Sequence, residues 1–237
     1  MESAPKPLGT LRKESLRDRA LSALRDAITV GTLKPGQHLV ETQLSSDLGI
    51  SRGTFREAIR QLQQEGLVVE DARGRAHVPT ITAELIRETF QVRASLESLA
   101  AVLIAARDDR AECVEILRDR LADLERAESG PVTSNIDADL AFHREICYQA
   151  ENSMLLGSWE SLAAIIRMSI LHAGDRYARA NMAAARHAPL LDAIDDGDIS
   201  VIWNAFIAHN LGAAEVILGE KIPGSLLDTI PAEYRQY

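Results

Sequence analysis

The sequence predicts a mainly α-helical protein with an N-terminal winged helix-turn-helix domain and a following antiparallel α-helical bundle. Two short amphipathic segments joined by a glycine lie within residues 43–62, and two β-type runs follow them. Residues 82–219 are rich in Ala, Leu, Ile, Arg and Glu. The charge balance also changes: residues 1–80 hold 12 Lys and Arg against 10 Asp and Glu, whereas residues 81–237 hold 14 against 25. We therefore expect domains at 11–79 and 82–219, with tails at 1–10 and 222–237.

The first domain is expected to begin with a supporting helix and a helix-turn-helix unit. The supporting helix carries an apolar stripe with a spacing of four residues, formed by Leu16, Ala20, Leu24 and Ile28. In the next short helix, Leu44 and Leu48 lie on one face. Gly49 can adopt the positive φ that a tight turn between helices needs. Ser51 is a good N-cap for the helix that follows.

That following helix has one apolar face and one basic face. Its apolar stripe is formed by Phe55, Ile59 and Leu62, and its basic row by Arg52, Arg56 and Arg60. Such a row on its own is usually a solvated surface. On the second helix of a helix-turn-helix, next to a wing, it is typical of a helix that enters the major groove of DNA.

The wing is predicted from two β-type runs, Leu67–Glu70 and Ala76–Val78, with a hairpin-like turn between them. Arg73 and Arg75 lie in this turn and are expected near phosphates or in a minor groove. The alternative is that the turn is only a flexible basic loop.

The segment ITVGTLKPGQHLVETQLSSDLGISRGTFREAIRQLQQEGLV resembles the N-terminal domain of the GntR family of bacterial transcription regulators. One departure is Thr54, where many members carry proline. The resemblance implies that Arg52 and Arg56 read or position on the major groove, with Arg60 beside them. It also implies that Ser51 and Thr54 touch the DNA backbone.

The second domain is predicted as a succession of helices with identifiable ends. Thr82 and Asn152 are expected N-caps, and Asp109 with Glu112 forms a capping-box pattern. The expected helices run from Thr82 to about Arg107, Asp109 to about Glu128, Ile136 to Ala150, Asn152 towards His172, Tyr177 to Ile194, and Ile199 to Leu218.

A possible metal site lies in this bundle. Asp139 and His143 are four residues apart and converge on one helix face. His187 precedes Gly197 by 10 residues and His209 follows it by 12, so both lie at one level of a helical hairpin. One carboxylate and three imidazoles suit Zn²⁺, Ni²⁺ or Mn²⁺. Taken singly, each histidine is more often a surface or satisfied core residue.

Four segments of this domain, FQVRASLESLAA, DADLAFHREICYQAENSMLL, ARHAPLLDAIDDGD and AFIAHN, resemble the FCD effector domain of the FadR subfamily. The resemblance implies a metal held by the four residues above and a small organic acid as effector. It also implies that Arg93, in the pattern F-x-x-R-x-x-L-E, clamps an effector carboxylate. The alternative is an ordinary i,i+4 ion pair between Arg93 and Glu97. The roles of His172, Arg167 and Arg176 stay open.

The remaining composition bounds the function. Cys113 and Cys147 have neither zinc-knuckle nor disulfide spacing, and no signal peptide or apolar run of about 18–20 residues is evident. We expect a cytoplasmic homodimer that binds an inverted-repeat operator and responds to an acid at a metal ion. Alternatives are a metal sensor or a metalloenzyme using the same Asp/His site. The lack of a placed general base disfavours the enzyme.

Overall fold

The computed structural model describes residues 15–174 and 179–222 of the 237-residue chain. The chain divides into two compact units, one of residues 1–64 and 68–78 and the other of residues 65–67 and 79–237. In the described part, the first unit contains three helices and a two-stranded sheet, whereas the second is helical. The predicted fold class is therefore confirmed.

The helices of the first unit are α1 (Leu16–Thr29), α2 (Glu41–Asp47) and α3 (Arg52–Gln64). Helix α1 opens with a capping box, in which the Ser15 side chain accepts from the backbone of Asp18 and the Asp18 carboxylate accepts from Ser15. Three of the four residues of its predicted stripe are buried: Ala20, Leu24 and Ile28. Leu16 is 62% exposed, so its inclusion in the stripe was wrong. It is the first residue of the helix, beyond the reach of the core.

The turn into α3 forms as the sequence predicts. Gly49 has a φ of 63°, and the hydroxyl of Ser51 accepts a hydrogen bond from the backbone N–H of Thr54 at 3.1 Å. Phe55, Ile59 and Leu62 are buried. Because the helix is held by this apolar stripe, its opposite side is left to solvent.

The wing consists of β1 (Val69–Glu70) and β2 (Ala76–His77), which pair antiparallel with Val69 opposite His77. Its turn is organised by Asp71. The carboxylate oxygen Oδ1 of Asp71 accepts the backbone N–H groups of Arg73 and Arg75 at 2.9 and 3.0 Å. Gly74 has a φ of 72° in this turn. Hydrogen bonds to the Asp71 carboxylate, from residues on both sides of Gly74, therefore hold the turn in shape.

The second unit packs as a helical bundle. The helices are α4 (Ala83–Ala105), α5 (Arg110–Ala127), α6 (Val132–Gln149), α7 (Ser153–Ala173), α8 (Ala184–Asp196) and α9 (Ile199–Leu218). Helix α4 lies against α6, α7 and α9, while α5 lies against α6 and α8. The core between them includes Phe142, Trp159 and Phe206.

Several predicted helix ends are confirmed. The side chains of Thr82 and Asn152 accept from the backbone N–H groups of Leu85 and Leu155, three residues further on. Gly197 ends α8 with a φ of 85°, and the carboxylate of Asp198 accepts from the first turn of α9. The hairpin of α8 and α9 therefore has its bend at Gly197.

Other predicted ends were wrong. Asp109 does not cap α5 with its side chain, because Arg107 donates to both of its carboxylate oxygens at 2.7 Å. Helix α6 begins at Val132 rather than Ile136, directly after Pro131, whose φ of −57° is the one that the proline ring fixes. Helix α8 begins at Ala184, after a break in the helix at residues 182–183. The predicted start at Tyr177 lies outside the described residues.

Two bundle helices are more apolar than the sequence analysis allowed. Ser153–Ala173 and Ile199–Leu218 are each long and apolar enough to cross a membrane by length and composition alone. Core helices of a bundle pass the same test. In the described chain, 33% and 39% of their most apolar windows are buried. The expectation that no such run exists was therefore wrong.

Candidate DNA interface and histidine cluster

The three arginines of the basic row on α3 are all exposed, as the sequence predicts. Arg56 also forms a bidentate ion pair with Glu41 of α2, with Nε 2.8 Å from Oε2 and Nη2 3.1 Å from Oε1. The hydrogen bond from Arg56 lowers the pKa of the Glu41 carboxyl. The Arg56 guanidinium thus remains on the surface, but a carboxylate holds it in one orientation. Glu41 lies 15 residues before Arg56, so no local spacing in the sequence indicates this partner.

The start of α3 carries two hydroxyl groups. Those of Ser51 and Thr54 lie 2.9 Å apart, and the backbone N–H of Thr54 donates to Ser51. At the free N-terminus of a helix, hydroxyl and N–H groups form a favourable site for a phosphate oxygen. Threonine in place of proline keeps a backbone donor at residue 54.

In the wing, the two arginines have different surroundings. The side chain of Arg75 pairs with Asp71, with Nη2 2.7 Å and Nε 2.8 Å from Oδ2. Hydrogen bonds from the Arg75 backbone and side chain lower the pKa of Asp71 to about 2. Arg73 is exposed in the turn. Arg75 therefore stiffens the wing, while Arg73 projects a charge from it.

In the second unit, three histidines from three helices meet. The ligating nitrogens of His143 on α6, His187 on α8 and His209 on α9 all lie within 4.8 Å of one another. His143 and His187 are fully buried, and their Nε2 atoms are 3.2 Å apart. Asp139 joins through His187, with Oδ1 3.0 Å from Nε2 of that ring. The structure thus brings together all four residues that the spacing predicted.

Hydrogen-bond partners indicate which ring nitrogens carry protons. Nδ1 of His187 lies 2.9 Å from the carbonyl oxygen of Ala183, which can only accept, so this nitrogen is the donor. Nδ1 of His143 lies 2.9 Å from Oε2 of Glu97, although the contact falls short of good hydrogen-bond geometry. A neutral ring with a proton on Nδ1 has a lone pair on Nε2. Two such lone pairs and the Asp139 carboxylate therefore point at one another.

That arrangement favours a cation between these atoms. Acceptors 3.0–3.2 Å apart repel one another unless a proton or a metal ion lies between them. Around a tetrahedral ion with bonds of about 2.0–2.1 Å, neighbouring ligand atoms lie about 3.3 Å apart. The two distances from Nε2 of His187, to His143 and to Asp139, come close to this value. The donor set of imidazoles and a carboxylate suits a borderline divalent ion. The residues present fit a metal.

The charge states also fit. Burial works against ionisation of Asp139, but the contact with His187 and the nearby His143 and Arg93 together lower the pKa of the carboxyl. Burial lowers the pKa of His143, and it holds that of His209 well below its ordinary value with help from the neighbouring imidazoles. Ionised carboxylates and neutral imidazoles are the forms that bind metals.

Arg93 forms the i,i+4 ion pair that was the ordinary alternative for it, with Nε 2.8 Å from Oε1 of Glu97. Both residues are buried. Its Nη2 atom is buried without a hydrogen-bond partner among the described residues. The Nε edge of the guanidinium is thus paired with Glu97, whereas Nη2 can still donate a hydrogen bond to another group.

In the sequence, Glu97 stands out only as this i,i+4 partner of Arg93. The structure adds hydrogen bonds to its carboxylate from Trp159 and Asn210, and it places Nδ1 of His143 2.9 Å from Oε2. Burial opposes ionisation of Glu97, but the charge of Arg93 and the contacts with His143 hold the pKa of the carboxyl well below its ordinary value. These partners are 46 to 113 residues away, so only the i,i+4 signal to Arg93 was visible in the sequence.

The described residues whose roles the sequence leaves open, His172 and Arg167, are not part of the histidine cluster. His172 is exposed near the end of α7, and Arg167 pairs with Asp137. Arg176 lies outside the described residues. His38 and His77 lie at the base of the wing, with ring centroids 5.6 Å apart. Both cysteines are buried free thiols.

Comparison with known proteins agrees with both units. Residues 16–78 match the family described as bacterial regulatory proteins, gntR family, and residues 88–209, about half of the chain, match the FCD domain. The chain belongs to the GntR family. GntR regulators bind DNA through the first of these domains, and the FCD domain is their ligand-binding effector domain. The protein is a transcription regulator and not an enzyme.

Two relatives illustrate the similarity. A probable D-xylose utilization operon transcriptional repressor of Paenarthrobacter nicotinovorans is 31% identical over 205 residues, which cover 83% of this chain and 88% of the relative. The HTH-type transcriptional regulator YdhC of Bacillus subtilis is 38% identical over 104 residues, or 44% of this chain and 46% of that protein. The match to the D-xylose operon repressor is long enough to include parts of both the GntR domain and the FCD domain.

Solved structures of GntR regulators have the same fold. A putative GntR regulator from Rhodococcus sp. RHA1 matches with a TM-score of 0.65 and 26% identity, over 86% of this chain and 97% of that one. Escherichia coli McbR/YncC matches with a TM-score of 0.67 and 19% identity, over 86% and 98%. At the latter identity, the match supports the fold alone.

Proposed function

We propose that this GntR regulator controls transcription in response to a small organic acid bound at a divalent metal ion, which Asp139, His143, His187 and His209 hold. The observation that carries the proposal is the convergence of lone pairs at 3.0–3.2 Å in a buried position. Zn²⁺, Ni²⁺ and Mn²⁺ are the ions that such ligands favour. When bound, the ion supplies open coordination positions for a carboxylate oxygen.

Two buried donors support an oxyanionic effector. Nη2 of Arg93 and Nδ2 of Asn135 are buried and have no hydrogen-bond partner in the described part of the chain. Asn135 is one helical turn before Asp139 and so lies on the same face of α6. A buried donor without a partner costs about 1–3 kcal/mol. A small acid with oxygens for both groups would remove that cost.

The DNA interface is assigned to α3 and the wing. Arg52 and Arg56 would enter the major groove, with Arg60 beside them. The hydroxyls of Ser51 and Thr54 would meet a phosphate. Arg73 and Arg75 would lie near the backbone or in a minor groove. Support comes from the exposure of all five arginines and from the N–H and hydroxyl groups at the start of α3. Such a protein acts where the chromosome is, in the cytoplasm.

A homodimer would present two such heads to an inverted repeat. An apolar stripe on α4 supports it. Val92 and Leu99 lie two turns apart on α4 and are 49% and 43% exposed, with half-buried Ser95 and Val102 on the same side. A second copy of the chain would cover this stripe, and the acid would act by favouring one arrangement of the heads.

The test is metal analysis of the purified full-length protein, followed by a thermal-shift screen of organic acids with and without a chelator. We expect about one divalent ion per chain and acid-dependent stabilisation that the chelator removes. Stabilisation that is indifferent to the chelator would overturn the metal as effector anchor. A metal that alone changes DNA affinity, without any acid, would make the protein a metal sensor instead.

A further inference from the structure

We propose that Glu97 is a positioning residue of the metal centre. Its carboxylate selects the Nδ1–H form of His143, which leaves Nε2 of that ring free for the ion, and it also holds Arg93. This inference rests on the proposed metal site. It adds a residue that touches neither ion nor DNA and that joins the centre to the effector-binding arginine.

Nitrogen atoms from four helices surround the Glu97 carboxylate. Oε1 lies 2.8 Å from Nε of Arg93 on its own helix α4 and 2.8 Å from Nε1 of Trp159 on α7. Oε2 lies 2.8 Å from Nδ2 of Asn210 on α9 and 2.9 Å from Nδ1 of His143 on α6. The side chain of Glu97 is 0% exposed. Its orientation is therefore set by contacts on both oxygens.

Only one of the two buried histidines depends on another side chain for its tautomer. Nδ1 of His187 donates to the backbone of Ala183 in its own segment, so no substitution of a partner side chain can change it. Nδ1 of His143 faces Glu97. A carboxylate behind a ligating imidazole fixes its tautomer and raises its basicity. Glu97 is therefore the side chain that can fix the tautomer of His143 and raise its basicity.

Substitution by glutamine makes this role testable because all four neighbours of the carboxylate are donors. An amide has one accepting oxygen and one donating NH₂ group. If the NH₂ group faces His143, the ring is driven to the Nε2–H form, which cannot bind a metal through Nε2. If it faces Arg93 and Trp159, donors oppose donors and Arg93 is released. Glu97→Gln therefore disturbs the centre in either orientation.

The experiment compares the full-length wild type, Glu97→Gln and the matched control Trp159→Phe. The control removes one hydrogen bond to the same carboxylate and leaves the side that faces His143. Co²⁺ serves as the probe, with affinity measured by chelator competition and coordination by visible absorption. Glu97→Gln should weaken Co²⁺ binding by about 10–100-fold. Trp159→Phe should weaken it by less than about 10-fold. Equal affinity of Glu97→Gln and wild type would overturn the proposal.

A second readout needs no metal and no substitution of Glu97. Imidazole ¹⁵N chemical shifts of the metal-free wild type report the tautomer of His143 directly, with the signal assigned by its loss in His143→Gln. The Nδ1–H form supports the proposal, and the Nε2–H form overturns it even where Glu97→Gln fails to fold. If wild type binds no Co²⁺ but His143 has the Nδ1–H form, the proposed metal function fails while the positioning by Glu97 stands.

Discussion

His187 shows how a single hydrogen bond determines what a side chain can do. Because its Nδ1 donates to the Ala183 carbonyl, its other nitrogen is available as a ligand. That nitrogen lies 3.2 Å from Nε2 of His143 and 3.0 Å from Asp139. His187 therefore lies at the centre of the cluster, between His143 and Asp139. Its loss should remove contacts of both neighbours.

We predict that His187→Ala loses most of the bound metal, because it removes the ligand that touches two others. Elemental analysis of the purified variant measures this directly. His172→Ala is the control, since His172 is an exposed histidine outside the cluster. Full metal occupancy in His187→Ala would remove this residue from the site.

A pH dependence is also expected at the residue scale. The pKa values of His143 and His209 are lowered in the fold by burial first, relative to an unfolded value of about 6.5. The unfolded chain then binds more protons than the folded chain at acidic pH. Stability from these groups is therefore present above about pH 6.5 and is lost as the pH falls towards their folded values.

In chelator-treated protein, the urea midpoint should fall between pH 7.5 and pH 5.5. His209→Gln should lose less stability over this range than wild type, because it has one such group fewer. His172→Gln should behave as wild type. Identical losses in wild type and His209→Gln would show that His209 does not titrate in this way.

Helix α3 combines two tasks through its two faces. The stripe of Phe55, Ile59 and Leu62 anchors it, and the arginine row projects from it. Its neighbour α2 contributes Glu41, which holds Arg56 in a bidentate pair. A surface pair of this kind adds little to stability, so its main effect is on where the guanidinium points.

We predict that Arg52→Ala and Arg56→Ala each weaken binding to a duplex selected by the wild type from random DNA. If a residue contacts only phosphate, its removal should lower the dependence of log K on log salt by about one. A base contact should instead relax the sequence preference and cost about 1–3 kcal/mol. Fluorescence anisotropy over a salt series separates the two.

Glu41→Gln serves as the control for this prediction, since it breaks the ion pair and keeps the guanidinium. It should bind the selected duplex at least as tightly as wild type, because one negative charge near the phosphates is gone. Unchanged affinity in Arg52→Ala and Arg56→Ala would refute the proposed interface.

At the scale of the whole molecule, a single chain leaves much apolar surface of the bundle exposed. Helices α7 and α9 are each long and apolar enough to cross a membrane, yet only 33% and 39% of their most apolar segments are buried in one chain. Helix α4 exposes Val92 and Leu99 in one stripe. A second copy of the chain would take such surface out of water.

We predict that Leu99→Asp shifts the protein from dimer to monomer, because it would place a carboxylate in an apolar interface. Sedimentation velocity measures the state. Met154→Asp is the control, since Met154 is 80% exposed and lies at the start of α7, off this stripe. A wild type that is monomeric at all concentrations would remove the dimer from the proposed mechanism.

The sequence by itself was enough for much of what depends on local spacing. Caps such as Ser51 and Asn152, the bend at Gly197 and the faces of α3 involve residues within one or two turns of each other. The shared level of His187 and His209 also followed, because helix rise converts spacing about a bend into height along a hairpin.

Tertiary structure alone decided the rest. The pairing of Glu41 with Arg56, the loss of the Asp109 cap to Arg107, and the four donors around Glu97 are choices among competing partners. Spacing along a helix shows that Glu97 can reach Arg93. It cannot show that His143, Trp159 and Asn210 arrive from other helices at the same carboxylate, because their approach is set by how the helices pack.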